Sequence, residues 1–210
     1  IYVIIYIIYH ERTQVYMYEA ENSVYCYPGT NTLVNKLNIK DFNKLENYEK
    51  SVVALKLMAL EKKGITGKFD IHHFVSIHKF LFEEIYPFAG LFRNENIAKG
   101  YFQFAQWQYI ESELTKLLEQ LNKEDLSSLS KKAFSQRLAY YWSELNVLHP
   151  FREGNGRTTR EFMRQIALKY NYRLNLHNVD AKDILNASIK SIIDVTDLEN
   201  IIYKCLEPIK

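Results

Sequence analysis

The amino-acid sequence predicts an all-α fold that carries one small β-hairpin. Apolar residues recur at intervals of three and four over most of the chain, which is the spacing of helices with one buried face. Strands and helices do not alternate along the sequence, so a parallel sheet is not expected. The 210 residues are enough for one domain that buries about 70% of the surface of its unfolded chain.

Seven helices and one hairpin are predicted. The helices cover residues 42–63, 70–85, 107–122, 130–148, 156–170, 180–191 and 194–206. The first helix should end at Lys62-Lys63-Gly64, because basic residues and glycine are typical of a helix C-terminus. The hairpin is expected at residues 91–105, around Lys99-Gly100. The apolar residues at helical spacing in the first helix are Leu45, Tyr48, Val52, Leu55, Met58 and Ala59.

Residues 1–24 are expected to form an N-terminal extension, and residues 25–210 the domain itself. The run at residues 1–9 is rich in β-branched and aromatic side chains, which favours a strand. It is shorter than the roughly 20 residues needed to span a bilayer. It also lacks the basic start and the small-residue cleavage site of a signal peptide. We assign no function to this extension.

Composition and residue spacing argue against several classes of function. The net charge of +2 is too small to indicate a nucleic-acid-binding protein. Cys26 and Cys205 are too few for a disulfide framework, so a reducing compartment such as the cytoplasm is expected. The histidines of the second helix, His72, His73 and His78, lack the spacing of helical zinc ligands and should be structural.

The segment His149-Pro150-Phe151-Arg152-Glu153-Gly154-Asn155-Gly156-Arg157-Thr158-Thr159-Arg160 contains the groups needed to bind a polyphosphate beside a base. Gly154 and Gly156 can adopt positive φ, so successive backbone N–H groups can point into one anion-binding concavity. The helix predicted to follow would add the positive end of its dipole. Arg157 and Arg160 share one helix face, from which both guanidinium groups can bind phosphate oxygens.

A carboxylate and an imidazole complete this segment. Phosphates would repel Glu153 unless a cation lay between them, and Mg²⁺ binds one or two carboxylates together with phosphate oxygens. The imidazole of His149, with an ordinary pKa of about 6.5, can accept a proton from an attacking hydroxyl at neutral pH. Each residue alone is more often structural. A purely structural explanation must account for a base, an acid, a glycine turn and two arginines together.

The same segment resembles the signature of the Fic-domain family, His-Pro-Phe-x-(Asp/Glu)-Gly-Asn-Gly-Arg-x-x-Arg, at every specified position. Residues 86–105 look like the flap hairpin of that family and its lead-in. Residues 27–36 are similar to the N-terminal segment of Fic toxins and secreted Fic effectors. The resemblance implies a Fic-type helical bundle in which the signature joins two central helices.

The implied activity is nucleotidyl transfer: AMP moves from ATP to a Ser, Thr or Tyr hydroxyl of a target protein, and pyrophosphate leaves. ATP is the implied co-substrate and Mg²⁺ the implied cofactor. The flap would bind the target as an added strand. The implied roles are general base for His149, metal ligand for Glu153, phosphate binding for Gly154, Gly156, Arg157 and Arg160, amide donation to the α-phosphate for Asn155, and target docking for Asn96, Ile97, Ala98, Lys99 and Gly100.

Two other functions stay open at this point. A non-catalytic nucleotide-binding regulatory module would keep the phosphate site without forming a covalent product. A de-AMPylating hydrolase would use the same fold to remove AMP from a target. No nucleic-acid or membrane partner is expected. The bacterial cytoplasm is the expected location, with delivery into a host cell as the alternative.

Regulation is a further implication of the resemblance. Many Fic proteins contain an inhibitory helix, (Ser/Thr)-x-x-x-Glu-(Gly/Asn), whose Glu pairs with the second signature arginine, here Arg160. Glu46 and Glu199 are each followed by Asn, but Phe42 and Val195 stand where Ser or Thr is required. Inhibition by a separate small antitoxin is therefore favoured, with Glu46 or Glu199 as the internal alternative. Self-modification is also implied.

Overall fold

Helices account for most of the described residues, which confirms the predicted class. The structure is a computed structural model and describes residues 23–100 and 102–209. The strand expected at residues 1–9 lies outside these ranges. None of the described helices combines the length and the hydropathy that a membrane span requires. The helices are α1 (Phe42–Lys63), α2 (Ile71–Phe82), α3 (Ile110–Lys123), α4 (Lys131–Leu148), α5 (Asn155–Lys169), α6 (Ala181–Lys190) and α7 (Thr196–Cys205).

Two antiparallel pairs of short strands accompany the helices. β1 (Ala98–Lys99) pairs with β2 (Phe102–Gln103), so that Ala98 faces Gln103 and Lys99 faces Phe102, and this is the predicted hairpin. β3 (Tyr172–Leu174) pairs with β4 (Leu206–Pro208). The second pair was not predicted, because three residues are too few to show the alternation of a strand. Short 3₁₀ turns precede α3 and α6.

The start of α5 lacks the side-chain cap found on α1, α2 and α4, as do the starts of α3 and α7. Asp41, Asp70 and Ser130 each accept a hydrogen bond from a backbone N–H in the first turn of α1, α2 and α4. Such a cap satisfies an N–H group that has no partner inside the helix. The N-cap of α5 is Gly154, and no side chain caps this helix. The first N–H groups of α5 are therefore left for another acceptor.

α4 and α5 form the centre of the bundle. α4 packs against α3, α5, α6 and α7, while α5 packs against α2 and β3. Both helices bury large apolar side chains completely, including Phe134 and Leu138 of α4 and Phe162 and Met163 of α5. Core packing therefore holds both ends of the loop at residues 149–154 that joins them.

The face that α1 buries differs from the one expected. Tyr48, Leu55 and Met58 were expected inside, yet they are 36%, 68% and 56% exposed. The buried positions of α1 are Leu45, Glu49, Val53 and Leu60. The prediction was wrong because the buried face includes a carboxylate, which an apolar pattern assigns to solvent.

Candidate active site

The loop between α4 and α5 turns at two residues with left-handed backbone conformation. His149 follows α4 with a φ of 45°, and Gly154 precedes α5 with a φ of 82°. A Cβ atom on Gly154 would lie 2.3 Å from the ring of Phe82, so only glycine fits there. Gly156 lies in the first turn of α5 and has no positive φ. Both glycines can adopt positive φ, but of the two only Gly154 does so.

His149 is held in the neutral form. The residue is 8% exposed to solvent, and its ring stacks on that of Phe104 with the ring centroids 3.8 Å apart. Nδ1 lies 3.1 Å from the carbonyl oxygen of Asn146. A carbonyl can only accept, so Nδ1 carries the hydrogen and Nε2 is the nitrogen that can take up a proton. Burial, followed by the positive charges of Lys99 and Arg93, lowers the pKa of His149 to about 3.

Arg93 anchors His149, a role that no sequence pattern indicated. Its Nε donates to the carbonyl oxygen of His149 at 2.9 Å, and Nη2 donates to that of Leu148 at 3.2 Å. The same guanidinium donates to the carbonyl oxygens of Glu95 and Ala105, on either side of the hairpin. One buried side chain therefore joins the end of α4 to both ends of the flap.

Glu153 is half-buried and contacts the start of α5. Its Oε1 accepts from the N–H of Gly154 at 2.8 Å and from Nη2 of Arg157 at 3.2 Å. The described ranges contain no group of three or more side chains able to ligate a metal. A cation at Glu153 would therefore take further oxygens from its ligand or from water. Mg²⁺ fits such a site, because it commonly combines one or two carboxylates with phosphate oxygens and water.

The two signature arginines differ in their contacts. Nη1 of Arg157 lies 2.5 Å from Oε1 of Glu49 in α1, and Arg157 also contacts Glu153. The side chain of Arg160 has no ion-pair or hydrogen-bond partner among the described residues. Burial and the charge of Arg157 lower the pKa of Arg160 to about 10, so it stays positive at neutral pH. Arg160 therefore presents an uncompensated cation beside the uncapped N-terminus of α5, where an anion is favoured.

Glu49 forms a buried cluster with Arg157 and Tyr86. Its Oε2 accepts a short hydrogen bond from the hydroxyl of Tyr86, and its Oε1 contacts Arg157. Burial raises the pKa of the Glu49 carboxyl, and the charge of Arg157 opposes that shift. The two carboxylates beside Arg157 raise the pKa of its guanidinium against the effect of burial.

Asn155 holds the turn closed. It is 4% exposed, its Oδ1 accepts from the N–H of Phe151 at 2.8 Å, and its Nδ2 donates to the carbonyl oxygen of Phe151 at 2.7 Å. Asparagine side chains commonly bind nearby backbone in this way. One N–H of the amide is used inside the loop, and the donation of the amide to an α-phosphate stays a prediction.

His78 of α2 supports the same loop, and sequence reasoning had assigned it only a structural role. Its ring stacks on Phe151 with centroids 3.7 Å apart. Nδ1 accepts from the N–H of Gly90 at 2.8 Å, so Nε2 carries the hydrogen and donates to the carbonyl oxygen of Glu153 at 3.0 Å. Burial lowers the pKa of His78 to about 3, which keeps it neutral. His78 thus links the signature loop to the lead-in of the flap.

The predicted flap residues lie in and beside the hairpin, and one of them, Lys99, is close enough for its charge to affect the site. Lys99 is half-buried, and its charge acts on both His149 and Glu153. The other members shape the hairpin: Asn96 accepts from the N–H of Trp107 at 3.0 Å, Ile97 is buried, Ala98 pairs in β1, and Gly100 turns with a φ of 58°.

Neither glutamate considered as an internal inhibitor contacts a signature arginine. Glu46 pairs with a lysine one turn further along α1 at 3.0 Å. Glu199 of α7 accepts from a glutamine of α4 at 3.4 Å. The carboxylate that does reach the signature is Glu49, and it pairs with Arg157. Glu49 does not match the inhibitory-helix pattern, because Leu45 stands where Ser or Thr is required and Lys50 where Gly or Asn is required.

The segment that contains the signature lies inside a match to a known protein family. Residues 68–167 match the sequence profile described as the Fic/DOC family. A protein of Escherichia coli (strain K12), named "Probable protein adenylyltransferase Fic", is 34% identical over 183 residues, which are 86% of this chain and 90% of that protein. The chain belongs to the Fic/DOC family.

Further Fic relatives confirm the helical bundle. The protein adenylyltransferase VbhT of Bartonella schoenbuchensis is 41% identical over 182 residues, and the match spans 86% of this chain but 38% of VbhT. The N-terminal Fic domain of a Bartonella quintana effector with bound ADP has a TM-score of 0.82 at 28% identity, covering 89% of this chain and 95% of that one. BepC of Bartonella tribocorum with bound AMPPNP has a TM-score of 0.81 at 27% identity, covering 89% and 97%.

Proposed function

We propose that this Fic domain is a protein adenylyltransferase that moves AMP from ATP to a Ser, Thr or Tyr hydroxyl of a target protein. One observation carries the proposal. A neutral His149 lies in the loop that leads into the uncapped N-terminus of α5, and the side chain of Arg160 on that helix is a cation without a counter-ion. Relatives named as adenylyltransferases support the activity. Structural neighbours with bound ADP and AMPPNP support an adenine nucleotide as the ligand.

In the proposed reaction, the target hydroxyl gives its proton to Nε2 of His149 while its oxygen attacks the α-phosphorus. A new O–P bond forms. The bond from the α-phosphorus to the oxygen that bridges to the β-phosphate breaks, and pyrophosphate leaves with the electron pair. Arg160 and the first N–H groups of α5 stabilise the negative charge on the leaving group. Most of the rate then comes from positioning and charge stabilisation.

Mg²⁺ is part of the proposal, with Glu153 as its protein ligand. The ion supplies charge neutralisation for the phosphate oxygens. Arg157 has five N–H donors and uses two of them on Glu49 and Glu153, so others can bind phosphate.

The flap is proposed to bind the target. An extended target segment would add beside the hairpin through backbone hydrogen bonds, which gives loose sequence preference. The anchoring of the flap and of His149 by one side chain, Arg93, supports this role, because it holds the docking element and the base in one register.

We also propose that a separate small antitoxin restrains the activity. The contacts of Glu46 and Glu199 support this, since neither reaches Arg160. Glu46→Gln and Glu199→Gln should leave self-modification unchanged, and a rise in either variant would restore the internal alternative. The Bartonella quintana neighbour is described as a VirB-translocated effector, which supports delivery into another cell as an alternative to the bacterial cytoplasm.

Intact-protein mass measurement after incubation with ATP and Mg²⁺ tests the proposal. The chain itself, or a target protein in bacterial lysate, should gain the mass of one AMP, and His149→Ala should slow the gain by about 10²-fold or more. ATP binding without any covalent product would favour a regulatory module. Loss of AMP from a previously modified target would favour the hydrolase.

A further inference from the structure

We propose that Glu49 and Tyr86 position Arg157 so that Glu153 stays available to a divalent cation. The inference deepens the proposed function and rests on it. It adds two residues from outside the signature, one in α1 and one after α2, to the group that controls the cation site.

The contacts of Arg157 show an unequal division between two carboxylates. Nη1 lies 2.5 Å from Oε1 of Glu49, and Nη2 lies 3.2 Å from Oε1 of Glu153. The closer partner comes from a residue 108 positions away in the sequence, whereas Glu153 is one helical turn away. The guanidinium therefore bridges the two carboxylates, and its shorter contact is the one to α1.

Glu49 is itself held in place through the oxygen that does not contact Arg157. It is 7% exposed, and the hydroxyl of Tyr86 donates to its second oxygen. Tyr86 is 3% exposed and its ring stacks on Phe88 with centroids 4.8 Å apart, so the hydroxyl cannot easily turn away. A buried carboxylate is costly unless it is paired and hydrogen-bonded, and both oxygens of Glu49 meet that condition.

The consequence concerns the charge left on Glu153. If Glu49 lost its charge, Arg157 would turn its full attraction onto Glu153, whose side chain is half-exposed. A carboxylate in a tight guanidinium pair is a poor ligand, because an incoming cation must displace that pair and is repelled by the arginine. Glu49 therefore acts as the counter-ion that keeps Arg157 from neutralising Glu153. A purely structural ion pair would have no such effect on metal dependence.

The experiment compares ADP binding by the full chain in calorimetry over a series of Mg²⁺ concentrations. Glu49→Gln should raise the Mg²⁺ concentration needed for half-maximal enhancement of ADP binding by about tenfold, the size typical of losing a residue that supports a metal ligand. Glu46→Gln is the matched control, because it makes the same change one turn earlier on a half-exposed residue of α1. Its Mg²⁺ dependence should equal that of the wild type.

A second arm gives the opposite sign. Glu49→Gln removes one negative charge from the site. In the presence of a chelator, metal-free ADP should therefore bind more tightly to this variant than to the wild type. Tighter metal-free binding together with weaker Mg²⁺ enhancement is the signature of the proposed role. Equal changes with and without Mg²⁺, or none in a folded Glu49→Gln protein, would overturn it.

Tyr86→Phe keeps the test decisive if Glu49→Gln does not fold. Phenylalanine keeps the ring stacking of Tyr86 and removes the hydrogen bond to Glu49, so the Mg²⁺ requirement should rise in the same direction by a smaller factor. An unchanged requirement in folded Tyr86→Phe would overturn the inference. The wild type separates the two proposals: no ADP binding at any Mg²⁺ concentration refutes the adenylyltransferase proposal itself, whereas normal binding with no shift in the variants refutes only the role of Glu49.

Discussion

Nε of Arg93 lies 2.9 Å from the carbonyl oxygen of His149, and this bond ties the proposed base to the flap. The left-handed conformation of His149 costs roughly 1–2 kcal/mol for a residue with a side chain. The surrounding structure must supply that energy, and the bond from Arg93 contributes to it. Since the same guanidinium binds Glu95 and Ala105, a shift of the flap is transmitted to the base.

Arg93→Lys should slow AMP transfer by about 10²-fold, because lysine keeps the charge but cannot reach four carbonyl oxygens from one plane. ADP affinity should stay close to that of the wild type, since Arg93 lies outside the phosphate site. The turnover rate and the calorimetric dissociation constant are the two measurements. Arg173→Lys, on an exposed residue of β3, is the control. Equal losses in rate and affinity would reduce Arg93 to a general support of the fold.

His149→Ala should lower AMP transfer by about 10²-fold or more, because no other group would take the proton of the target hydroxyl. ADP binding should persist. The same change at His72, which is exposed on α2, should have no effect on the rate. Near-normal labelling by His149→Ala would remove this residue from the base role.

Arg160→Glu should weaken ADP binding by at least about tenfold, the scale of one lost charge-assisted hydrogen bond. The loss should exceed that caused by Arg173→Glu, which makes the same change of charge far from the signature loop in sequence and on an exposed residue. Calorimetry of both variants checks this, and equal affinities would contradict the assignment of Arg160 to the phosphates.

Gly154 and Gly156 should respond differently to alanine. Gly154→Ala should lower the free energy of unfolding by more than about 2 kcal/mol, since its Cβ would overlap the Phe82 ring and its φ is positive. Gly156→Ala should fold normally but bind ADP less well, because the new Cβ would lie 3.4 Å from Nη1 of Arg160. Urea unfolding and calorimetry separate the effects. Similar unfolding curves for the two variants would contradict this difference.

Stability should fall in acid because two histidines are buried in the neutral form. The pKa of His78 and that of His149 are each lowered to about 3, against about 6.5 in an unfolded chain. Below pH ~6.5 the unfolded chain binds protons that the folded chain does not. The free energy of unfolding should therefore decrease as the pH falls from about 6.5 toward 3, by up to about 1.4 kcal/mol per pH unit for each histidine.

Urea unfolding at a series of pH values measures this slope. His149→Gln removes one of the two groups, so its slope should be smaller than that of the wild type by up to about 1.4 kcal/mol per pH unit. His72→Gln serves as the control, because His72 is exposed and should leave the slope unchanged. Parallel pH profiles for wild type and His149→Gln would show that His149 is not held neutral.

The helices and the signature could be predicted because their signals are local. The spacing of apolar residues predicted α4 and α5. The signature residues from His149 to Arg160 are contiguous in the sequence, so their pattern could be recognised directly. The buried face of α1 was misassigned because Glu49 lies in it. That position is stable only through Arg157 and Tyr86, which are remote in sequence.

The sequence alone determined the family, the helical class and the hairpin, and it supplied His149 as the proposed base, because each of these depends on neighbours a few positions apart. Three features emerged only when α1, α2 and the hairpin packed around the signature loop: the unequal roles of Arg157 and Arg160, the internal use of the Asn155 amide, and the anchoring of His149 by Arg93. The contacts of Arg157 and Arg93 join residues 108 and 56 positions apart. Hydrogen bonds between residues so far apart produce no local pattern in the sequence. These contacts could therefore be identified only in the folded structure.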